Sequence, residues 1–251
     1  MNDIHIVTGA SSGVGRALCK NLAMRGLGVL GIARRGSALD ELRSEHPNEI
    51  QILSADLGCP ADWQKVVDRV GAQYRVSTLT HSAAISTKGS LKDRSFDSYR
   101  EMMAINLEAP IFLTQALLPH CRHGARILHL SSGAAHRAIE YNGMYCITKA
   151  ALLMAYRAWN ADFPNGEIVV GSVRPGGVDG PMQDAARSGD YPGVEMYRQF
   201  KEKGQLIQPA RVAEFLGWLL LETSNEEFVS QDWSISDASH HARWLVGSLT
   251  G

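Results

Sequence analysis

A tyrosine and a lysine lie four residues apart in the segment YCITK, at Tyr145 and Lys149. In an α-helix this spacing brings two side chains to the same face, one turn apart. A phenol with its ordinary pKa of about 10 is a poor proton donor at neutral pH unless a nearby cation lowers that pKa. Lys149 can supply the cation, so the pair predicts proton transfer to a substrate oxygen. A solvent-facing tyrosine–lysine pair would have the same spacing.

A serine hydroxyl upstream could share that oxygen. Ser132 stands at the end of a predicted strand, in the segment LSSGAA, thirteen residues before Tyr145. A hydroxyl in this position can hydrogen-bond a substrate oxygen on which negative charge develops.

A glycine-rich turn, TGASSGVG at positions 8–15, follows the first apolar run and precedes a helical pattern. Glycines let a backbone turn sharply and approach a pyrophosphate, while the N–H groups and dipole of the next helix bind the anion. A plain tight turn is the alternative interpretation. The position between the first strand and the first helix favours a dinucleotide site.

The end of the second predicted strand indicates which dinucleotide is bound. NAD-binding folds usually place an acidic residue there, which hydrogen-bonds the ribose 2′-hydroxyl. Ala33 occupies that place, and Arg34 follows with a planar cation suited to a phosphate, with Arg35 able to assist. Two solvated turn arginines are the alternative. We therefore expect NADP(H) as the cofactor.

Short apolar runs alternate with longer helical patterns along the chain. Strands are predicted at 4–7, 28–33, 50–55, 76–82, 126–130, 167–173 and 232–236, and helices at 14–25, 37–45, 63–73, 96–117, 145–161 and 210–222. This alternation predicts an α/β fold: a single domain over residues 1–251, built on a Rossmann-type doubly wound parallel sheet of about seven strands with helices on both faces. The polar, glycine-bearing segment 181–208 is typical of a substrate lid.

Composition and charge exclude several classes of partner. The net charge is −1 with both signs interspersed, which predicts neither nucleic-acid nor membrane binding. The four cysteines form no CxxC pair and no metal-ligand spacing with the nine histidines, so we expect reduced thiols and no metal. The first residues lead directly into a strand, and no run of about 18 uncharged apolar residues is apparent. We expect a cytoplasmic protein.

These motifs, in this order, resemble the short-chain dehydrogenase/reductase family over nearly the whole chain. The resemblance implies a catalytic set of Asn106, Ser132, Tyr145 and Lys149, with the thirteen-residue spacing selecting Ser132 over Ser131. It also implies that Asn106 holds a water in a proton relay to Lys149. An amide that only satisfies buried backbone groups is the alternative for Asn106.

The resemblance extends to the cofactor. It implies adenine contacts near Asp56-Leu57, ribose contacts to Lys149, and a backbone contact from Val178 to the carboxamide. The expected cofactor-binding residues are Thr8, Gly9, Ser11, Ser12, Gly13, Val14, Gly15, Arg34, Arg35, Asp56, Leu57, Ala83, Tyr145, Lys149, Pro175, Gly176 and Val178. The chain departs from the family pattern in having Ser12 where many NADP(H)-dependent relatives carry a base, HSAA for NNAG at 81–84, and Gly180 for a threonine.

Segments 145–152, 175–187 and 200–220 resemble the sepiapterin reductase and bacterial benzil reductase branch. The resemblance implies NADPH-dependent reduction of a small ketone or diketone, with Tyr145 as general acid. Pterin reduction is an alternative, but the anchoring aspartate of the last strand is replaced by Ser234, or by Ile235 in a shifted register, with Asp232 and Asp237 nearby. An alcohol-oxidising dehydrogenase and a catalytically silent NADP(H)-binding sensor or scaffold also remain open.

The helical segments of Asn106 and Tyr145 commonly form a dimer interface in this family. Residues 150–159 are apolar around much of the helix, which is consistent with burial on two sides, although a helix buried within one subunit would look the same. We expect a homo-oligomer, a dimer or a tetramer.

Overall fold

A computed structural model describes residues 1–250. Its seven strands are β1 (Asn2–Thr8), β2 (Val29–Ala33), β3 (Ile50–Ser54), β4 (Tyr74–His81), β5 (Cys121–Leu130), β6 (Ile168–Arg174) and β7 (Asp232–Ser234). They form one sheet in the order β3-β2-β1-β4-β5-β6-β7, and every pair is parallel. The order reverses direction between β1 and β4, which is the place where doubly wound sheets bind ligands. The predicted fold class is confirmed.

Residues 1–250 form ten α-helices. They are α1 (Gly13–Met24), α2 (Gly36–Glu45), α3 (Pro60–Val70), α4 (Phe96–Met103), α5 (Ala109–Leu117), α6 (Gly143–Asp162), α7 (Pro181–Ser188), α8 (Val194–Glu202), α9 (Pro209–Leu221) and α10 (Asn225–Val229). One apolar cluster joins α1, α2 and α9 to the sheet, and a second joins α3, α5 and α6 to its other face. Strands buried on both faces have to be apolar along their length, which is why they are recognisable in the sequence.

Three predicted elements have different bounds in the structure. Helix α3 begins at Pro60, before the predicted start at 63, because proline is tolerated in the first turn where its missing N–H has no partner. Strand β5 begins at Cys121, five residues before the predicted start at 126, and pairs with β4 and β6. The segment 181–208 contains the two helices α7 and α8, which its polarity and glycines did not predict.

The predicted long helix at 96–117 is interrupted by one turn of π-helix, Ala104–Glu108, between α4 and α5. The helical run Phe96–His120 is long and apolar enough to cross a membrane by length and composition, which the sequence analysis did not expect. Its buried residues Ala109, Leu113 and Leu117 belong to the apolar cluster under the sheet, as in a core helix of an α/β domain.

Candidate active site

The first turns of α6 carry Tyr145 and Lys149 beside the end of β5. The Lys149 side chain is only 2% exposed, and its ammonium donates a 2.6 Å hydrogen bond to the carbonyl oxygen of Leu130. Its Nζ lies 5.6 Å from the centroid of the Tyr145 ring. The structure therefore brings the tyrosine and the lysine together on one helix face, against the strand end that leads to Ser132.

Burial controls the ionisation of this pair. It raises the pKa of Tyr145 to about 12, and the Ser132 side chain opposes that rise. Burial lowers the pKa of Lys149 to about 8. The expected lowering of the tyrosine pKa by the lysine is not found in this structure: burial is the largest cause of the shift, Cys146 and Tyr197 add to the rise, and the Ser132 hydrogen bond is the one opposing cause. Tyr145 is therefore a protonated phenol throughout the neutral range, which suits a proton donor better than a base.

Ser132 follows β5 in extended conformation, and its Oγ accepts a hydrogen bond from the N–H of Ala134 at 3.1 Å. Its side chain is partly exposed, and its hydrogen bond with the Tyr145 phenol lowers the pKa of that phenol. Ser131 is buried instead, and its Oγ has no hydrogen-bond partner within residues 1–250. The structure therefore places the hydroxyl of Ser132, and not that of Ser131, with the tyrosine.

Asn106 lies in the π-helical turn and is 1% exposed. Its Oδ1 accepts from the N–H of Ile85 at 2.8 Å, and its Nδ2 donates to the carbonyl of Ile85 at 2.9 Å and to Thr148 Oγ1 at 3.1 Å. A π-turn of this kind often marks a functional position in a helix. The amide thus ties the chain after β4 to the helix of Tyr145, and Thr148 is a contact that the sequence analysis missed.

The glycine-rich turn fits tightly between β1, β4 and α1. A Cβ on Gly9 would lie 2.9 Å from the backbone nitrogen of Ala83, and one on Gly15 would lie 2.5 Å from the carbonyl oxygen of Gly9. Thr8 Oγ1 accepts from the N–H groups of Ser82 and Ala83, both at 3.1 Å. The threonine hydroxyl therefore fastens the turn to the end of β4.

The N-terminus of α1 has the features of an anion site. Its N-cap residue Ser12 is extended and makes no side-chain capping bond. Gly13 has a φ of +54°, and a Cβ there would meet nothing within 4 Å, so the approach to the helix end is open. The first N–H groups of a helix lack partners inside it and attract phosphate. This end of α1, with Val14 in its first turn, fits the pyrophosphate of a dinucleotide.

The two arginines after β2 differ in their contacts. The Arg35 guanidinium donates to Ser11 Oγ through Nη2 at 3.0 Å and through Nε at 3.3 Å, so it reaches the glycine-rich turn. The Arg34 side chain is exposed and makes no hydrogen bond or ion pair with any residue in the 1–250 range. Only the Arg35 cation is connected to the turn by hydrogen bonds, whereas the sequence favoured Arg34.

The expected adenine-side residues follow β3. Asp56 Oδ1 accepts from the N–H of Gly58 at 3.0 Å, and the Asp56 N–H donates to Asp62 Oδ2 at 2.7 Å. Leu57 is buried, and its carbonyl accepts from the Trp63 indole at 3.0 Å. These bonds fix the shape of the loop at the carboxyl end of β3, on the same edge of the sheet as the glycine-rich turn.

The turn after β6 carries Pro175, Gly176 and Val178. Gly176 has a φ of +77°, and a Cβ there would lie 2.8 Å from Ile207 Cδ1. Val178, just before the 181–208 segment, pairs with Ile207, near the end of that segment, in an isolated parallel bridge. This bridge holds the two ends of the segment together. Gly180 lies close to the glycine-rich turn, since a Cβ on it would be 3.9 Å from the Cα of Gly13.

The candidate pterin anchors on and after β7 are already engaged. Asp232 accepts from Ser172 Oγ at 2.6 Å and pairs with His136 at 2.7 Å and with Arg174 at 3.0 Å. The Asp237 carboxylate accepts from the N–H of Ser239, and Ile235 is fully buried. The Asp232 carboxylate is therefore occupied by three side chains of the protein, whereas Asp237 is exposed and has a local turn contact.

Four further residues meet near Tyr145 and were missed by the sequence analysis. Tyr141 stacks on Tyr191 of the 181–208 segment at 6.4 Å, and Tyr191 contacts Tyr197 at 6.3 Å. Lys88 Nζ donates to the Tyr197 hydroxyl at 3.0 Å. Tyr191 and Tyr197 lie within the expected lid and could have been chosen as candidates from the sequence, but no sequence pattern connects them with Lys88. Tyr141 also has a φ of +55°, rare for a residue with a side chain.

The geometry so described agrees with a known family. The protein-family model described as short chain dehydrogenase matches residues 3–190 of the chain. L-xylulose reductase from Bos taurus is 28% identical, with 88% of this chain and 89% of that protein covered. Versicolorin reductase from Emericella nidulans is 26% identical, with 99% of this chain and 93% of that protein covered.

Among solved structures, L-sorbose reductase from Gluconobacter frateurii, complexed with NADPH and L-sorbose, has the same fold. Its TM-score is 0.81 at 21% identity, with 93% of this chain and 94% of that chain covered. At this identity the likeness shows the fold alone.

Proposed function

The chain belongs to the short-chain dehydrogenase family, and from this we propose that it reduces a small ketone or diketone to the alcohol with NADPH. The observation that supports this most is the partly buried, protonated phenol of Tyr145 beside Ser132 and Lys149. Two reductases among the relatives, of L-xylulose and of versicolorin, agree with the reductive direction.

Each protein group has a separate task in this proposal. NADPH, when bound, supplies the hydride that reduces the carbonyl carbon. Tyr145 donates its phenolic proton to the oxygen that becomes the alcohol, and the Ser132 hydroxyl donates a hydrogen bond to the same oxygen. Lys149, fixed by the Leu130 carbonyl, stabilises the tyrosinate that remains and returns a proton to it. Asn106 acts as a positioning residue through Ile85 and Thr148.

The preference for NADPH rests on Arg34 and Arg35. No carboxylate stands at Ala33 to repel a 2′-phosphate, and Arg35 is held at the glycine-rich turn through Ser11. A guanidinium can bind a phosphate through two parallel hydrogen bonds, which an NAD ribose hydroxyl cannot exploit. The structure of L-sorbose reductase with NADPH gives a precedent within the same fold.

We also propose that the protein is a homo-oligomer that buries the outer faces of α5 and α6. Phe112 on α5 is 44% exposed, and Ile147 and Met154 on α6 are 47% and 58% exposed. Large apolar side chains grouped on one surface often mark an interface. Light scattering should give a mass above that of one chain, and Met154→Glu should lower it; a monomeric wild-type protein would contradict the proposal.

The enzymatic proposal is tested by following NADPH absorbance with a panel of diketones, simple ketones, quinones and pterins. We expect oxidation of NADPH with at least one diketone or ketone. Tyr145→Phe should reduce kcat by about 10²- to 10⁴-fold, the usual contribution of a positioned acid. NADPH binding, measured by fluorescence, should persist in the variant because the phenol oxygen is a small part of the cofactor site.

Two outcomes would favour other functions. Tight NADPH binding without turnover of any carbonyl would favour a silent sensor or scaffold. Turnover restricted to pterins would favour a pterin reductase.

A further inference from the structure

The segment after β4 holds a lysine next to the catalytic helix. Ser86 Oγ donates to Asn142 Oδ1 at 3.0 Å, and the N–H of Gly89 donates to the carbonyl of Tyr141 at 2.8 Å. Lys88 lies between these two anchors, and both lead to the start of α6, just before Tyr145. Lys88 is therefore held near the start of α6, the helix that carries Tyr145, by a bond on each side of it.

The lysine ammonium also contacts the expected lid. Its Nζ donates to the Tyr197 hydroxyl at 3.0 Å and lies 4.5 Å from the centroid of the same ring. Burial lowers the pKa of Lys88 to about 8, so most of the lysine remains charged at neutral pH. The Tyr197 ring lies 6.3 Å from that of Tyr191, which stacks at 6.4 Å on Tyr141, four residues before Tyr145. These contacts connect the Lys88–Tyr197 pair to the chain that leads into the helix of Tyr145.

No carboxylate within the described residues 1–250 forms an ion pair with Lys88. The ionisable groups that affect the pair electrostatically are Cys146 for Lys88, and Tyr191, Cys146 and Arg137 for Tyr197. A second cation, Arg94, donates to the hydroxyl and the carbonyl of Thr87, both at 2.9 Å.

A half-buried lysine usually has an anionic partner, because removing a charge from water is costly. Here the surroundings are cationic and phenolic, so the group that would complete them is an anion.

We propose that Lys88, positioned by Tyr197, binds a carboxylate of the substrate, and that the substrate class is a carbonyl compound that also carries a carboxylate. The inference rests on the proposed reductase function and extends it: the carbonyl oxygen lies at Tyr145 and Ser132, and the carboxylate lies at Lys88. Lys88 is then a specificity-determining residue that takes no part in proton transfer.

The alternative role of the pair is mechanical. If the Lys88–Tyr197 contact only fastened the lid, its loss would reduce turnover of charged and neutral substrates by the same factor. If Lys88 binds a carboxylate, removing Lys88 should reduce turnover of the anionic substrate more than that of the neutral one, because only the anionic substrate loses a partner.

The first experiment compares two substrates of nearly the same shape, phenylglyoxylate and 1-phenyl-1,2-propanedione, which differ in the carboxylate. We expect Lys88→Met to reduce kcat/KM for phenylglyoxylate by about 10- to 100-fold, mainly through KM, as for loss of a hydrogen bond to a charged group. The diketone should change by less than about threefold. Lys88→Arg should restore most of the preference, and Lys92→Met, at an exposed lysine, should match wild type.

The second experiment does not depend on turnover. Calorimetry of the NADP⁺-saturated protein should show tighter binding of benzoate than of benzamide, and Lys88→Met should remove the difference. Thermal unfolding checks that each variant is folded, and Tyr197→Phe should weaken benzoate binding while keeping the ring. Equal binding of benzoate and benzamide by wild type, or an equal loss on both substrates, would overturn the inference. Absence of NADPH oxidation with either carbonyl would contradict the reductase proposal alone.

Discussion

The ammonium of Lys149 donates a 2.6 Å hydrogen bond to the carbonyl oxygen of Leu130, the last residue of β5. This bond joins the catalytic helix to the strand end two residues before Ser132. Because Tyr145 lies one turn before Lys149 on α6, the bond fixes the phenol and the serine hydroxyl relative to each other. The lysine is thus a structural link as well as a cation.

The rate of reduction should fall as pH rises through about 8. Lys149 has its pKa lowered to about 8 by burial, and its charged form is lost above that value, whereas Tyr145, at about 12, stays protonated. With a neutral diketone, kcat/KM should be flat below pH 8 and fall about tenfold per pH unit above it. Because an arginine stays charged over this pH range, Lys149→Arg should shift the fall in kcat/KM to higher pH, at a lower absolute rate. If the fall in kcat/KM above pH 8 is unchanged in that variant, a group other than Lys149 causes it.

Replacing Asn106 should loosen the chain after β4. Asn106→Ala removes the two bonds to Ile85 and leaves its buried backbone groups without partners, which should lower the free energy of unfolding by about 1–3 kcal/mol. Thr148→Val removes only the side-chain bond to the asparagine and the bond to the Tyr145 carbonyl, and should cost less. Urea denaturation of both variants measures the difference. An equal cost would contradict the dominant role of the Ile85 bonds.

The proposed preference for NADPH should depend on both arginines after β2. Arg34→Gln and Arg35→Gln should each raise KM for NADPH by about tenfold or more, with KM for NADH nearly unchanged, because each would remove a charge-assisted bond to the 2′-phosphate in the proposed complex. The double variant should lose most of the preference. Steady-state kinetics with both cofactors provides the measurement, and an unchanged NADPH-to-NADH ratio in the double variant would refute the assignment.

Gly180→Thr should tighten cofactor binding. The residue has extended backbone, with φ 168°, that any side chain adopts, and a Cβ would find its nearest neighbour 3.9 Å away at Gly13. A hydroxyl added there lies beside the glycine-rich turn, so KM for NADPH should fall several-fold at an unchanged Tm. Gly180→Val is the matched control, since it adds the same bulk without the hydroxyl. The same fall in KM with valine would exclude the hydroxyl as the cause.

Acid should destabilise the protein through its buried histidines. Burial, with a contribution from the Lys149 charge, lowers the pKa of His129 to about 3, and burial lowers that of His5 to about 4. The folded state binds fewer protons than the unfolded state in this range, so stability is complete above about pH 6.5 and falls as pH decreases toward 3. His129→Leu should reduce this slope, because neither ring nitrogen has a partner within residues 1–250. His123→Leu, at an exposed site, should leave it unchanged; equal slopes in all three proteins would disprove the role of His129.

The sequence by itself determined the strand–helix alternation, the glycine-rich turn and the order of the candidate catalytic residues. These are local properties: buried parallel strands have to be apolar, a tight turn needs glycine, and the four-residue spacing of Tyr145 and Lys149 is a property of any helix. The choice of Ser132 over Ser131 came from the resemblance to the family, through its thirteen-residue spacing, and the structure gives the two side chains different exposure.

Only the tertiary structure decided how these groups behave. The pKa of Tyr145 rises because burial removes water from the phenol, and burial depends on elements distant in sequence. The Arg35 hydrogen bond to Ser11 and the Lys88 hydrogen bond to Tyr197 likewise join residues 24 and 109 positions apart. Spacing along the chain carries no signal for such contacts, because they form only when the sheet and its covering helices have packed.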